Sequence, residues 1–205
     1  MNKFYIPLTN IKVDIARLTS EVLQCCNLTN NSSTSLTTSK KYTNDVNYDF
    51  SYYNGSSDFL PGSRTLKIYP DGELDHQISY WPTILENSYL RELGDYFANL
   101  FKVNSYRVRC SYLNNVSEDA EFKLHNDPHT PYRIHICLKT DPSIKWLFVD
   151  KDTTQHYIHQ PADGIPVLIE TGTTQHRIVC PQHVTRMHVW FQYYKFIDLK
   201  LLNTI

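Results

Sequence analysis

From Val103 onward, short β-branched and aromatic runs alternate with clusters of Asn, Asp, Pro, Gly and Ser. The runs are SYRVRCSYL (105–113), RIHICL (133–138), KWLFVD (145–150), PVLIET (166–171), HRIVC (176–180) and RMHVWFQYY (186–194). Short strands separated by turn residues at roughly ten-residue spacing predict an all-β sandwich or barrel. The first half has a different period. Ile11, Ile15, Leu18, Val22 and Leu23 recur at three and four and predict an amphipathic helix over 10–23. Leu85, Tyr89, Leu93, Phe97 and Leu100 make the stripe of a second helix, opened by a capping box of Thr83 and Glu86 and running to about Leu100.

Between the helices the apolar pattern fades. Lys3 to Pro7 and Arg64 to Tyr69 predict strands, the second closed by Pro70-Asp71-Gly72. Asn27 to Asp45 is Ser/Thr/Asn-rich and predicts a loop or linker. Asn47 to Leu60, rich in Tyr and Asp, reads either as a surface loop with aromatic staples or as an active-site flap. The expected fold class is α+β. Residues 1–102 form an N-terminal α/β support region with a polar loop around 27–60. Residues 103–205 form a C-terminal double-stranded β-helix, or jelly-roll barrel, and the two parts pack as one compact domain.

Composition narrows this picture. The chain has 205 residues, net charge −1 and a pI of about 6.7, so no basic face for nucleic acid or an anionic membrane is expected. No apolar run reaches the roughly 18 residues of a membrane span. The start MNKFYIPLTN lacks the apolar core of a signal peptide. Five cysteines, an odd number with no CxxC spacing, predict free thiols in a reducing compartment, hence the cytoplasm.

The candidate chemistry starts at His125-Asn126-Asp127. In an extended segment alternate side chains share a side, so His125 and Asp127 project together. With one further histidine they would make the two-histidine, one-carboxylate triad that suits Fe(II) and leaves coordination positions open. The plain alternative is a loop histidine beside a turn-forming Asp-Pro. His176, at the head of HRIVC, is the candidate third ligand. Arg186 lies ten residues further on and alternates inward with His188 and Trp190. A guanidinium there offers a carboxylate two parallel hydrogen bonds. Arg133-Ile134-His135 repeats the Arg-x-His pattern. Trp146, Phe148, Met187 and Trp190 read as ordinary core or as the shield of a site. Arg107 and Arg109 read as exposed strand charges or as substrate contacts. His129, His156, His159 and His183 are placed in loops, His129 close enough to the site to touch a substrate.

The ordered set His125-x-Asp127, Arg133-x-His135, His176 and Arg186 resembles the aspartyl/asparaginyl β-hydroxylase family of Fe(II)/2-oxoglutarate-dependent dioxygenases over about Tyr106 to Tyr193. The retained Asp127 makes the chain more similar to the small-substrate, free-proline-hydroxylase-like members. The resemblance implies that His125, Asp127 and His176 bind Fe(II). It implies that Arg186 pairs with the distal carboxylate of 2-oxoglutarate, and that Arg133 with His135 faces its chelating end. His129, Arg109 and Trp146 are candidate substrate contacts. The implied reaction hydroxylates an unactivated C–H of an amino acid or peptidyl residue, with O₂ consumed and succinate and CO₂ as co-products; neither nucleic acid nor a membrane is an expected partner. The competing class is a non-catalytic jelly-roll or cupin-like metal- or ligand-binding protein. A third reading, a metal-dependent isomerase or dioxygenase of the cupin type, is disfavoured because cupins use Gly-rich strands and this chain has six glycines.

Overall fold

Strand β9 (Thr185–Tyr193) lies at the centre of a six-stranded sheet. The computed structural model describes residues 4–25, 32–35, 85, 87–103, 106–114, 123–128, 130–193 and 197–204. In chain order these form β1 (Tyr5–Pro7), α1 (Ile15–Cys25), β2 (Ser32–Ser35), α2 (Tyr89–Phe101), β3 (Arg107–Asn114), β4 (Tyr132–Lys139), β5 (Lys145–Val149), β6 (Gln155–Ile158), β7 (Val167–Glu170), β8 (Gln175–Val179) and β9. A 3₁₀ helix, Leu199–Thr204, follows. The larger sheet runs β1-β7-β4-β9-β3-β2 and the smaller β6-β5-β8. Every named pairing is antiparallel.

Alternation along β4 and β9 divides the larger sheet into two unlike faces. Ile134, Ile136 and Leu138 join Met187, Val189, Phe191 and Tyr193 on one face. These pack against Leu18 and Val22 of α1 and against Leu90, Leu93, Phe97 and Phe101 of α2. The Phe97 and Phe191 rings meet edge-on at 5.3 Å, and neither is exposed. The opposite face carries Arg133, His135, Arg186, His188, Trp190 and Gln192. It looks towards the smaller sheet, where Trp146 of β5 meets the His135 ring at 4.9 Å. A second apolar cluster, Tyr5, Trp146, Phe148, Val167 and Ile169, fills one end of the space between the sheets. The architecture is a β-sandwich with two helices on one outer face.

Both helices begin later than the pattern predicts. Asp14 Oδ1 accepts from Arg17 N at 3.0 Å, so α1 starts at Ile15 and not at Asn10. Ahead of it, Val13 N donates to Gly164 O at 2.8 Å, which ties the incoming segment to the loop before β7. Gly164 has φ +81°, and a Cβ there would sit 2.6 Å from Val13 O, so glycine is required. Helix α2 is capped by Ser88, whose Oγ accepts from Arg91 N at 3.1 Å. Glu21 of α1 supplies the remaining acceptors: its two carboxylate oxygens each take a backbone N–H, from Tyr89 and Leu90, at 3.0 Å. A carboxylate at a helix N-terminus satisfies orphan donors and the dipole together. The predicted capping pair, Thr83 and Glu86, lies outside the described residues, as do the 47–60 stretch and the 64–69 strand.

Two strands are additions to the sequence reading. Ser32–Ser35 falls inside the predicted 27–45 loop, yet pairs with β3 as an edge strand. Main-chain ladder bonds need no apolar side chains, so apolar alternation is blind to such a strand. Gln155–Ile158 pairs with β5, which places His156 in a strand and not in a loop. His156 Nε2 lies 2.8 Å from Asp150 Oδ2. Met187 faces the helices, so it is core and not a shield of the interior.

Candidate metal centre

The segment before β4 is laced to the strand ends around it. His125 and His176 form an isolated bridge, with His125 N donating to His176 O at 3.2 Å and His176 N to His125 O at 2.8 Å. Two residues on, Asp127 N donates to Thr171 O at 2.7 Å. Thr171 Oγ1 donates to Thr130 O at 2.6 Å, and Thr171 N to Pro131 O at 2.8 Å. Backbone bonds thus carry His125 and Asp127 to His176 across the gap between β7 and β8.

The imidazoles are oriented by main-chain carbonyls. His125 Nδ1 lies 2.7 Å from Lys123 O, and His176 Nδ1 lies 3.2 Å from Thr174 O. A carbonyl only accepts, so Nδ1–H is the donor in each ring and Nε2 is the nitrogen left to face a ligand. Both Nε2 atoms approach one oxygen, Asp127 Oδ2, at 3.6 Å for His125 and 3.3 Å for His176. Burial, with the Arg133 charge, lowers the His176 pKa against the opposing pull of the Asp127 carboxylate, which favours the neutral ring. Burial alone would raise the Asp127 carboxyl. The Arg133 guanidinium is the largest opposing influence, and the carboxyl is held far below the ordinary carboxylate range.

These three side chains fit a metal ion. Their ligand atoms all lie within 4.8 Å of one another. Neighbouring positions of an octahedron with bonds of about 2.1 Å are separated by about 3 Å, close to the two carboxylate distances. Two lone pairs and a carboxylate converging on one point repel unless a cation sits between them, and fixing the outer nitrogen on a carbonyl is how metal-binding imidazoles are held.

Arg133 occupies an unexpected place. Its Nη2 lies 2.6 Å from Asp127 Oδ2, the oxygen that both imidazoles approach. The contact is short but not aligned as a hydrogen bond. The same nitrogen donates to Thr130 Oγ1 at 3.3 Å.

Deeper between the sheets lies Arg186, 1% exposed. Its Nη1 donates to His188 Nδ1 at 2.6 Å, its Nη2 to Gln160 Oε1 at 3.4 Å, and its guanidinium sits 5.0 Å over the Trp146 ring. Among the described residues no carboxylate lies within ion-pair distance of it. Trp146 connects the two regions, its ring also lying 6.1 Å from that of His176. His135, 1% exposed, stacks near His188 and Trp190 at 5.3 and 5.8 Å. Among the described residues neither nitrogen of His135 has a hydrogen-bond partner, and neither does Trp190 Nε1. Burial, followed by the neighbouring positive groups, pushes His135 and His188 well below the usual histidine value. Arg109 of β3 lies 5.3 Å over the Trp190 ring. His129 lies outside the described residues.

Gln160 went unremarked in the sequence, in the polar run HQPADG. It is 3% exposed, accepts from Trp146 Nε1 at 3.2 Å and donates to His135 O at 3.1 Å. Thr130 and Thr171 were equally silent. Nothing in their residue types distinguishes such a bracket from an ordinary loop.

Fold and site together define a β-sandwich with a candidate two-histidine, one-carboxylate metal centre at its edge and a cationic, aromatic interior behind it. No family model matches the chain, and no curated protein matches it. Among solved structures the chain is similar to a prolyl-4-hydroxylase from Pseudomonas putida, at 13% identity and TM-score 0.38 over 52% of this chain and 58% of that one. It is similar to a 2OG-Fe(II) oxygenase family oxidoreductase from Burkholderia pseudomallei, at 15% identity and TM-score 0.39 over 51% of each chain. It is also similar to IDO from Bacillus thuringiensis, at 13% identity and TM-score 0.45 over 95% of this chain and 92% of that one. The chain thus spans little more than half the length of the first two. At these scores the likenesses carry no argument about this chain. No described helix is long and apolar enough to cross a membrane.

Proposed function

We propose that this chain is an Fe(II)/2-oxoglutarate-dependent dioxygenase that hydroxylates an unactivated C–H of an amino acid or a peptidyl residue in the cytoplasm. The observations that carry the reading are the convergence of His125, Asp127 and His176 and, on the other side of the Trp146 ring, a buried guanidinium, Arg186, that has no acidic partner among the described residues. The same residues carry the resemblance to the aspartyl/asparaginyl β-hydroxylase family, and the facing sheets take the role of its double-stranded β-helix.

His125 Nε2, His176 Nε2 and a carboxylate oxygen of Asp127 would hold the iron, a ligand set that suits Fe(II) chemistry. When bound, iron with 2-oxoglutarate and O₂ supplies the oxidising power for C–H hydroxylation, with succinate and CO₂ released. Arg186 holds the far carboxylate of 2-oxoglutarate. A buried charge without a partner costs several kcal/mol, and an anion relieves that cost. His135 and Trp190 Nε1 supply further buried polar groups for an oxygen-rich ligand. Trp146 and Phe148 exclude water, and Arg109 and His129 are the proposed contacts for the substrate itself.

The test is conversion of 2-oxoglutarate to succinate by purified protein supplied with iron. Turnover that disappears in His125→Ala and Asp127→Ala, together with bound metal, supports the reading. No succinate from the wild type, with metal content unchanged in both variants, ends it.

One observation favours a second reading, a non-catalytic metal- or ligand-binding module. Arg133 already neutralises Asp127 at 2.6 Å, a state that is electrostatically complete without a metal. Retention of metal with no 2-oxoglutarate binding distinguishes this module from the enzyme.

A further inference from the structure

Asp127 Oδ2 is contested. Arg133 Nη2 lies 2.6 Å from it, His176 Nε2 3.3 Å and His125 Nε2 3.6 Å. A divalent ion bound to that oxygen and a guanidinium on the same oxygen would be two positive charges a few ångströms apart, and like charges at that distance repel. The guanidinium is lightly held. Its contact with Asp127 lacks hydrogen-bond alignment, and its other side-chain tie is the 3.3 Å bond to Thr130 Oγ1. The side chain is largely buried, at 13% exposed, so its release rests on the weakness of these polar ties and not on room at the surface.

We propose that Arg133 is an exchangeable counter-ion for Asp127: it fills the cation's place in the metal-free protein, leaves the carboxylate when the metal binds, and is thereby freed to pair with an anionic ligand. This rests on the metal-centre reading above. It makes Arg133 a positioning residue that couples two events. Metal binding liberates a guanidinium, and the liberated guanidinium favours a carboxylate ligand beside the metal. In the metal-free chain it spares Asp127 from standing as a buried charge without a partner.

The experiment is calorimetric titration of metal-free, full-length protein with Mn(II) alone, comparing wild type, Arg133→Gln and Arg177→Gln. Arg177 is the control for general charge, because it follows His176 in β8 and alternation turns it the other way. Arg133→Gln is expected to bind Mn(II) at least tenfold more tightly than wild type. Its metal-free form is expected to melt at lower temperature, and added Mn(II) should restore more of its stability than it adds to wild type. Arg177→Gln should shift affinity less than threefold. Wild-type binding as tight as that of Arg133→Gln, or tighter, overturns the exchange while leaving the metal centre intact. Equal tightening in both variants also overturns it, since the effect is then charge at a distance. If wild type binds no Mn(II) at all, the metal-centre reading fails first.

Discussion

His125 and His176, 51 residues apart in the chain, exchange both of their backbone hydrogen bonds, at 3.2 and 2.8 Å, and their rings stand 4.6 Å apart. The main chain sets this pairing, so the geometry of the centre does not depend on the side chains finding one another. If the centre binds a metal as proposed, its affinity should depend on residues that would never touch the ion.

Thr171 is the clearest of these. Its fully buried hydroxyl donates to Thr130 O at 2.6 Å, and its carbonyl receives Asp127 N. Thr171→Val keeps the volume and leaves the Thr130 carbonyl without its donor. Urea denaturation should show a loss of about 1–3 kcal/mol. A change within a few tenths of a kcal/mol would mean that the bracket is not structural.

On the far side of the sheet, Phe97 of α2 meets Phe191 with both rings fully buried. Phe97→Ala should cost about 3–5 kcal/mol in the same measurement. Mn(II) affinity of the folded fraction should stay within threefold of wild type, because Phe191 lies on the helix face of β9 and the centre lies beyond the other face.

Arg186 should show opposite effects on stability and binding. Arg186→Met removes a buried guanidinium that has no acidic partner among the described residues, and should leave unfolding free energy unchanged or raise it by up to about 4 kcal/mol. The same variant should bind 2-oxoglutarate at least a hundredfold more weakly, read by titration of the Mn(II)-loaded protein. A strong loss of stability would show that the guanidinium is satisfied inside the fold, and would remove the reason to expect an anion there.

The buried histidines give the fold a pH dependence of defined sign. His135 and His188 are held well below their unfolded value of about 6.5. As pH falls through 6.5 the unfolded chain takes up protons that the folded chain refuses. Their contribution is fully present above 6.5 and is lost on acidification, at up to about 1.4 kcal/mol per pH unit for each histidine. Denaturation of metal-free protein at pH 7.5, 6.5 and 5.5 should show that decline, and His188→Gln should reduce its slope. A flat profile over that range would contradict their buried, neutral state.

The sequence exposes some of this more readily than the rest, for physical reasons. Alternation in β4 and β9 is legible because one face is uniformly apolar, as Ile134, Ile136, Val189 and Phe191 show, and the other carries Arg and His. The positions of His125, Asp127 and His176 are visible as residue types at suggestive spacings. Their meeting is a property of the bridge between them, and hydrophobic patterning does not encode it. Arg133 is the instructive case: alternation turns it inward, but only coordinates show it on Asp127. The start of α2 is displaced from the sequence pattern because Thr83-x-x-Glu86 offers a local cap, whereas the helix is capped by Ser88 and by Glu21, a residue of the other helix. Strands β2 and β6 escaped notice because ladder bonds place little demand on side-chain type at a sheet edge.

The most direct test of the metal centre is a titration of metal-free wild-type protein with Mn(II), followed by the same titration of His176→Ala. Two imidazole lone pairs and one carboxylate around a common point predict a single saturable site per chain, weakened at least a hundredfold when His176 is removed. Absence of saturable binding in the wild type, or an affinity in His176→Ala equal to that of the wild type, would contradict it.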